Sequence, residues 1–339
     1  MKFISVEESL RLRAQIPLVD VRSPLEFAEG NIPSAINIPL LNNEERVRVG
    51  TLYKKEGQDA AIQEGFRLVG PRLSEIVYQA CNVATQGELI VHCWRGGMRS
   101  TNFAQFVEMA RLQARIVKGG YKAYRQMALE TFRKPWSFIL LTGYTGSGKT
   151  DILHALKKAG EQVIDLEGLA CHKGSAFGGL LQPPQPTTEQ FQNNLFEELN
   201  RLDFSRSVWV EDESIAIGKI FMPADFWECM NKSPLVEVSV SQPARIQRLV
   251  HEYGEADRKE FLSMMTKITN KLGGQHFNVA RERLLEGDMS SVMEILLTYY
   301  DKAYNNSIQK RRDRLRHTIE WDAQDVDSFV TRLLRHLNQ

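Results

Sequence analysis

Two short runs in this 339-residue chain carry residue types that could do chemistry. The first is His92-Cys93-Trp94-Arg95-Gly96-Gly97-Met98-Arg99-Ser100, set between a β-branched run and a helical pattern. A cysteine at such a strand-to-helix junction meets the converging N–H groups of the loop and helix start. Gly96 and Gly97 let the chain curl so that these donors point inward, and Arg95 and Arg99 add positive charge. Each feature favours thiolate over thiol, which a nucleophile at neutral pH requires. A lone cysteine is more often a packing residue. Cys81, Cys171 and Cys229 are read that way, whereas a packing cysteine needs neither two glycines nor two arginines. Cys93, Arg95 and Arg99 are therefore the catalytic candidates. Cys-x5-Arg-Ser is also the spacing of a phosphatase loop around a tetrahedral phosphate. A phosphatase with an attached nucleotide-binding domain is thus one competing reading.

The second run, Gly143-Tyr144-Thr145-Gly146-Ser147-Gly148-Lys149-Thr150, fills every position of the Walker A pattern. It follows an apolar strand-like run and precedes a helical one. Backbone N–H groups of such a loop ring a diphosphate, Lys149 supplies charge, and the Thr150 hydroxyl can hold Mg²⁺. Gly143, Gly146, Ser147, Gly148, Lys149 and Thr150 are the diphosphate-binding set. An acidic partner for the metal should end a later strand; Glu211 and Asp212, after Val208-Trp209-Val210, are the first choice. Asp165 and Glu167 are the second. The loop recognises phosphates, so the residues alone leave open whether a nucleotide or another diphosphate ester sits there. Downstream, 165–178 is dense in polar residues and glycines and suits a loop contacting the ligand, while a lone His172 is more often structural than catalytic.

These loops need sheets to hold them. Pro17–Val21, Ala35–Pro39, Glu88–His92 and Ala114–Val117 read as short strands. Helical spacing over Ser74–Ala80 and Thr101–Leu112 separates them, a pattern that implies a parallel sheet. A Gly119–Gly120 turn ends the fourth strand. Around Pro135 the chain breaks and a second set begins: Phe138–Leu141, Val163–Asp165, Val208–Val210 and Leu235–Val240. Beyond about Pro243 the pattern is helical to the end. The fold class is α/β, with a parallel-sheet domain over 1–125, a linker over 126–136 and a P-loop NTPase-like α/β domain with a helical C-terminal region over 137–339.

Composition excludes several classes. No apolar stretch approaches a membrane span or a signal-peptide core, so a cytoplasmic protein without a membrane partner is expected. The four cysteines form no C-x-x-C pair, which argues against zinc and disulfides and leaves single-thiol chemistry. A net charge of +1 gives no global pull toward nucleic acid, so a polyanion would need local patches. The densest is Lys310–His317, where Arg311, Arg312, Arg314 and Arg316, on an expected helix, would spread around its circumference and meet phosphates. Tyr299, Tyr300 and Tyr304 lie just before it and are read as packing residues rather than base-stacking ones. Lys54, Lys55, Arg67 and Arg72 make a second patch.

The runs Leu18–Phe27, with its Asp20-Val21-Arg22 turn, and Gly30–Pro39, with Gly30-Asn31-Ile32-Pro33-Ser34-Ala35, together with the Cys93 loop, resemble the rhodanese domain. Rhodanese-like domains carry a sulfur or selenium atom on the loop cysteine, and the resemblance implies that role for Cys93. Many sulfurtransferase loops are one residue shorter between Cys and Arg. The larger loop here suits a tetrahedral anion such as selenophosphate. A P-loop ATPase or kinase carrying a rhodanese module only for binding is the other competing reading.

In order along the chain, the Cys93 loop, Thr142–Thr150, Asp165–Ala170, His172–Gly178 and Glu211–Ser214 resemble bacterial tRNA 2-selenouridine synthase. That resemblance implies a transferase acting on the wobble 2-thiouridine of tRNAs for Lys, Glu and Gln. It implies geranyl diphosphate as the alkyl donor in the Walker A cradle. Selenophosphate, from a partner that supplies it, is then the selenium donor.

Overall fold

The computed structural model describes residues 1–84 and 86–337, which divide into two compact units, Met1–Thr131 and Phe132–Gln339. In the first unit β1 (Lys2–Ile4), β2 (Leu18–Asp20), β3 (Ile36–Asn37), β4 (Glu88–His92) and β5 (Gln113–Val117) form one parallel sheet in the order β1-β5-β4-β2-β3. Helices on both faces bury such a sheet, so its central strands are apolar along their length. Leu89, Ile90 and Val91 of β4 and Val19 of β2 are fully buried; Val19, Leu89 and Val91 share a core with Phe103, Val107 and Ile116. The first strand, β1, has no counterpart among the sequence expectations. Three residues are too few to show a period.

Between β3 and β4 the chain inserts the helices Asn43–Lys55, Gln58–Val69 and Leu73–Val83. Asn42 starts the first with a capping box: its side chain accepts the Glu45 N–H at 2.9 Å, and the Glu45 carboxylate accepts the Asn42 N–H at 2.8 Å. The unit closes with the helix Gly120–Phe132, whose last turns occupy part of the expected linker at 126–136.

The second unit carries β6 (Phe138–Thr142), β7 (Gln162–Ile164), β8 (Val208–Glu211), the hairpin strands β9 (Ala216–Ile217) and β10 (Ile220–Phe221), β11 (Leu235–Ser239) and β12 (Leu315–Glu320). Its main sheet is parallel, in the order β12-β11-β6-β8-β7, so the strand leading into the Walker A run is central. The helix Lys149–Lys158 packs Ile152, Leu153 and Leu156 against Trp209, Val236, Val238 and Trp321. A separate core under the helices Gln242–Tyr253, Arg258–Lys267, Gly274–Glu286 and Met289–Lys310 gathers Leu249, Phe261, Met265, Leu284 and Leu296 with Phe177 from the 165–178 segment.

The expected helical run to the C-terminus is interrupted. Helix Met289–Lys310 ends at the basic cluster, Arg312–Arg314 make a 3₁₀ turn, and Leu315–Glu320 is the edge strand β12. Leu315, His317 and Ile319 alternate with more exposed neighbours at the strand period of two, and the arginines among them hide that alternation. Among the described residues, no helix is long and apolar enough to cross a membrane.

Candidate active site

Both chemical runs lie where open parallel sheets place ligands, beyond the carboxyl end of a central strand. The Cys93 loop leaves β4, and Gly120 presses it into shape. The Tyr121 N–H donates to the Cys93 carbonyl at 2.9 Å, and the Lys122 N–H to the Trp94 carbonyl at 2.8 Å. A Cβ on Gly120, whose φ is 55°, would stand 2.2 Å from the Cys93 carbonyl oxygen, so only glycine fits there. The Asp20-Val21-Arg22 turn braces the neighbouring strand. Arg22, 1% exposed, donates to Asp20 at 2.7 Å and to the Gly30 carbonyl at 2.7 Å, and its guanidinium lies 3.9 Å over the Tyr121 ring.

Cys93 itself is 3% exposed and touches the core, yet it also lines a cavity of about 600 Å³. Its Sγ lies 3.3 Å from Ser100 Oγ and 3.9 Å from the Gly97 carbonyl oxygen, to which the Ser100 hydroxyl also donates at 3.0 Å. Arg95 is exposed and lines the same cavity. Arg99 lines it too, but its two terminal nitrogens grip Glu26 at 2.6 and 3.2 Å. Burial pushes the Glu26 carboxyl up; the hydrogen bond and charge of Arg99, the Ser23 N–H and the charge of Arg46 outweigh it and hold the group down at about 2. Glu26 is the partner the sequence reading missed. It sits on the helix Pro24–Glu29, 73 residues from Arg99, and only the fold brings them together.

At the Walker A run, Gly148 adopts φ 73° as the cap before helix Lys149–Lys158. A Cβ on Gly143 would meet Ser147 Oγ at 2.7 Å and the Val238 carbonyl at 2.8 Å, and one on Gly148 would meet Arg248 and Trp321 at 2.7 Å. Lys149 Nζ bridges back to the Gly143 carbonyl at 3.2 Å. The Ser147 hydroxyl is buried with no partner, the state expected of a donor meant for a bound anion. These residues fit a diphosphate, and they open on a polar cavity of about 930 Å³.

The acidic candidates sit in different surroundings. Asp212 receives both terminal nitrogens of Arg311, at 2.5 and 2.8 Å, and the Thr142 hydroxyl at 2.7 Å. Glu211 is fully buried, accepts the Leu166 N–H at 2.9 Å, and is pushed well above its ordinary range by burial and then by the charge of Asp165. Among the described residues, neither carboxylate hydrogen-bonds to Thr150. The carboxyl that does is Glu167, which accepts the Thr150 hydroxyl at 3.3 Å and pairs with Glu213. Burial first, and the charge of Glu167 second, push Glu213 up, and burial pushes Glu167 up as well, as two carboxyls that share a site do. Gly174 closes over both: a Cβ there would lie 2.5 Å from Glu213 Oε1 and 3.0 Å from Glu167 Oε1. Hard oxygens from Thr150, Glu167 and Glu213 suit Mg²⁺, which typically takes one or two carboxylates and leaves its other positions to phosphate and water. Asp165 instead caps the helix Leu166–Ala170 and pairs with His154 at 3.0 Å. His172 packs beneath Gly178 and Gly218, and burial lowers its pKa.

The four arginines of the basic cluster also divide. Arg311 is committed to Asp212, and Arg314 donates to the carbonyls of Ser233 and Asn231. Arg312 and Arg316 are exposed. The expected helix around which all four would spread is absent. Tyr304 donates to Glu237 at 2.9 Å, Tyr300 accepts the Ala176 N–H at 3.2 Å, and Tyr299 packs on Tyr300, so the tyrosines are packing residues. In the second patch, Arg67 pairs with Glu64 and Arg72 with Glu45, while Lys54 lines the Cys93 cavity.

A thiol loop on one parallel sheet, followed by a phosphate loop on another, defines a rhodanese-like domain joined to a P-loop domain. A model described as a rhodanese-like domain matches residues 5–127, and one described as the tRNA 2-selenouridine synthase AAA domain matches 136–336. The tRNA 2-selenouridine synthase of Nitrosomonas europaea is 32% identical, over 88% of this chain and 91% of its own. That of Shewanella sediminis is 36% identical, over 88% and 89%. A solved rhodanese-like domain protein from Staphylococcus aureus is 22% identical over 36% of this chain and 90% of its own, with a TM-score of 0.24. The chain belongs to the tRNA 2-selenouridine synthase family.

Proposed function

We propose that this protein converts the wobble 2-thiouridine of tRNAs for Lys, Glu and Gln into 2-selenouridine in two steps, in the cytoplasm. In the first, the base sulfur attacks carbon 1 of geranyl diphosphate, the carbon–oxygen bond breaks, and diphosphate leaves. Backbone N–H groups from Gly143 to Thr150, the Ser147 hydroxyl and Lys149 receive the charge that develops on it. Mg²⁺, when bound by Thr150 with Glu167 and Glu213, adds further positive charge at that leaving group. In the second, a carbon–selenium bond forms at carbon 2, the carbon–sulfur bond breaks, and geranyl thiol departs with a proton. The Cys93 thiolate first displaces geranyl thiol from carbon 2. Water cleaves the phosphorus–selenium bond of selenophosphate to give phosphate and hydroselenide, which then forms the carbon–selenium bond and releases the Cys93 thiolate, with no change of oxidation state. A partner enzyme supplies the selenophosphate.

Alkylation makes chemical sense of the order. A thiocarbonyl sulfur leaves poorly, whereas an S-alkyl group makes carbon 2 electrophilic and departs as a neutral thiol. The observation that carries this reading is that Cys93, though nearly buried, opens on a cavity that Arg95 also lines. The phosphatase reading needs the loop arginine to clasp phosphate, and here Arg99 is gripped by Glu26. Arg312 and Arg316 are the two of the cluster's four arginines left to meet RNA phosphates.

Single-turnover reactions with thiolated tRNA, geranyl diphosphate and selenophosphate test the scheme. The wild type is expected to form S-geranyl then seleno base. Lys149→Ala should stall before alkylation and Cys93→Ser after it. ATP hydrolysis undiminished in Cys93→Ser, with no change in the RNA, would refute the scheme and favour an ATPase.

A further inference from the structure

The cavity at Cys93 is shaped for more than a selenium atom. Its walls come from the helices Asn43–Lys55 and Gln58–Val69 and from the thiol loop. Five of the protein's exposed large apolar side chains, Val47, Tyr53, Phe66, Trp94 and Met98, line this one cavity. Exposed apolar side chains gathered in a concave site mark a ligand rather than ordinary surface.

Two glycines sharpen the point. Gly50 and Gly65 lie in the interiors of the two helices, where glycine is less stable than alanine. Both line the cavity, and neither is needed for packing. A Cβ on Gly65 would meet nothing within 4 Å, and one on Gly50 only the tip of Arg46 at 3.9 Å. Each glycine keeps space empty at a cost to its helix.

The charges identify what carries the apolar ligand. Arg46, Lys54, Arg95 and Arg99 line the cavity, and among the described residues no carboxylate lines it; Arg46 and Arg99 pair with Glu26, so Lys54 and Arg95 are the cations left to meet an anion. An apolar trough edged only by cations fits a hydrocarbon chain attached to a polyanion. About 600 Å³ lies within the range of sites for small organic groups and accommodates ten carbons.

We infer that this cavity holds the geranyl chain of the S-alkylated wobble base while Cys93 faces carbon 2, and that it selects which S-alkyl group is exchanged. The assignment rests on the two-step reading above. It assigns the chain of the intermediate to the first unit, whereas the Walker A run that receives the diphosphate belongs to the second.

The test uses the full-length protein with tRNA bearing S-geranyl or S-methyl 2-thiouridine and measures selenation kcat/KM for each. Filling the cavity with Gly50→Leu should lower the geranyl-to-methyl selectivity about 30-fold, since each methylene left unburied is worth roughly fourfold. Gly50→Ala, which favours the helix and fills less, should lie between. Ile62→Ala, which widens the same wall, should raise turnover of S-farnesyl relative to S-geranyl tRNA, and reads the site independently should the leucine variant fold poorly. Selectivity unchanged in all three variants overturns the inference and leaves the two-step reading standing. Wild-type enzyme that selenates neither alkylated tRNA overturns both. Protection of Cys93 from iodoacetamide by free geranyl diphosphate as effective as by S-geranyl tRNA would make this the donor's site and overturn the assignment.

Discussion

Glu26→Gln removes the carboxylate that fastens Arg99, and its consequence depends on pH in a calculable way. The folded-state pKa of about 2 lies roughly 2.5 units below the ordinary 4.5, and each unit corresponds to about 1.4 kcal/mol. The Glu26 side chain is 17% exposed, so solvent screening trims the figure to on the order of 2 kcal/mol. Because folding depresses this pKa, the stabilisation is complete above about pH 5 and disappears as pH falls through 2. Glutamine cannot ionise and gains none of it. Urea unfolding of wild type and Glu26→Gln should therefore differ by about 2 kcal/mol more at pH 7 than at pH 2.5. Most of the closing should occur between those limits, below pH 4.5. An equal gap at both ends would show that the Arg99 fork contributes through shape alone, and would refute the electrostatic argument.

Ser147→Ala should stabilise the free protein by up to about 1 kcal/mol, because it removes a buried hydroxyl that has no partner, and should shrink the Tm gain from added pyrophosphate. A Tm gain equal to that of the wild type would place the hydroxyl outside the phosphate site. Arg312→Ala and Arg316→Ala should each weaken tRNA binding and lower the slope of log affinity against log salt by about one. Arg311→Ala should instead cost about 3 kcal/mol in urea unfolding by stranding Asp212, which is 8% exposed. Gly120→Ala should destabilise by about 2 kcal/mol or more and abolish selenation, since its Cβ would stand 2.2 Å from the Cys93 carbonyl. Wild-type selenation in that variant would mean the loop shape is not needed.

The features legible in the sequence are those coded locally. The β4 run Leu89-Ile90-Val91 is apolar because both its faces are covered, and the Cys93 and Gly143–Thr150 loops announce themselves through glycines and charges packed into nine or fewer positions. Long-range partnerships were not legible. Glu26 reaches Arg99, and Glu167 reaches Thr150 and Glu213, only because parallel strands set their loops side by side. Glu211 and Asp212 attract attention in the sequence as acids ending a strand. Their fates are decided by the Leu166 N–H and by Arg311, 45 and 99 residues distant. The same arginine-rich stretch conceals β12, whose pairing with β11 comes from outside its own sequence. Gly50 and Gly65 give no turn signal, and their use emerges only once the two helices face the thiol loop.

Transfer of radioactive selenium from selenophosphate to purified S-geranyl tRNA, compared between wild type and Cys93→Ser, tests the central claim most directly, because it bypasses the diphosphate step. The expected result is label in the RNA with the wild type and with Lys149→Ala, and none with Cys93→Ser. Label entering the RNA at the wild-type rate without the Cys93 thiol would contradict the account.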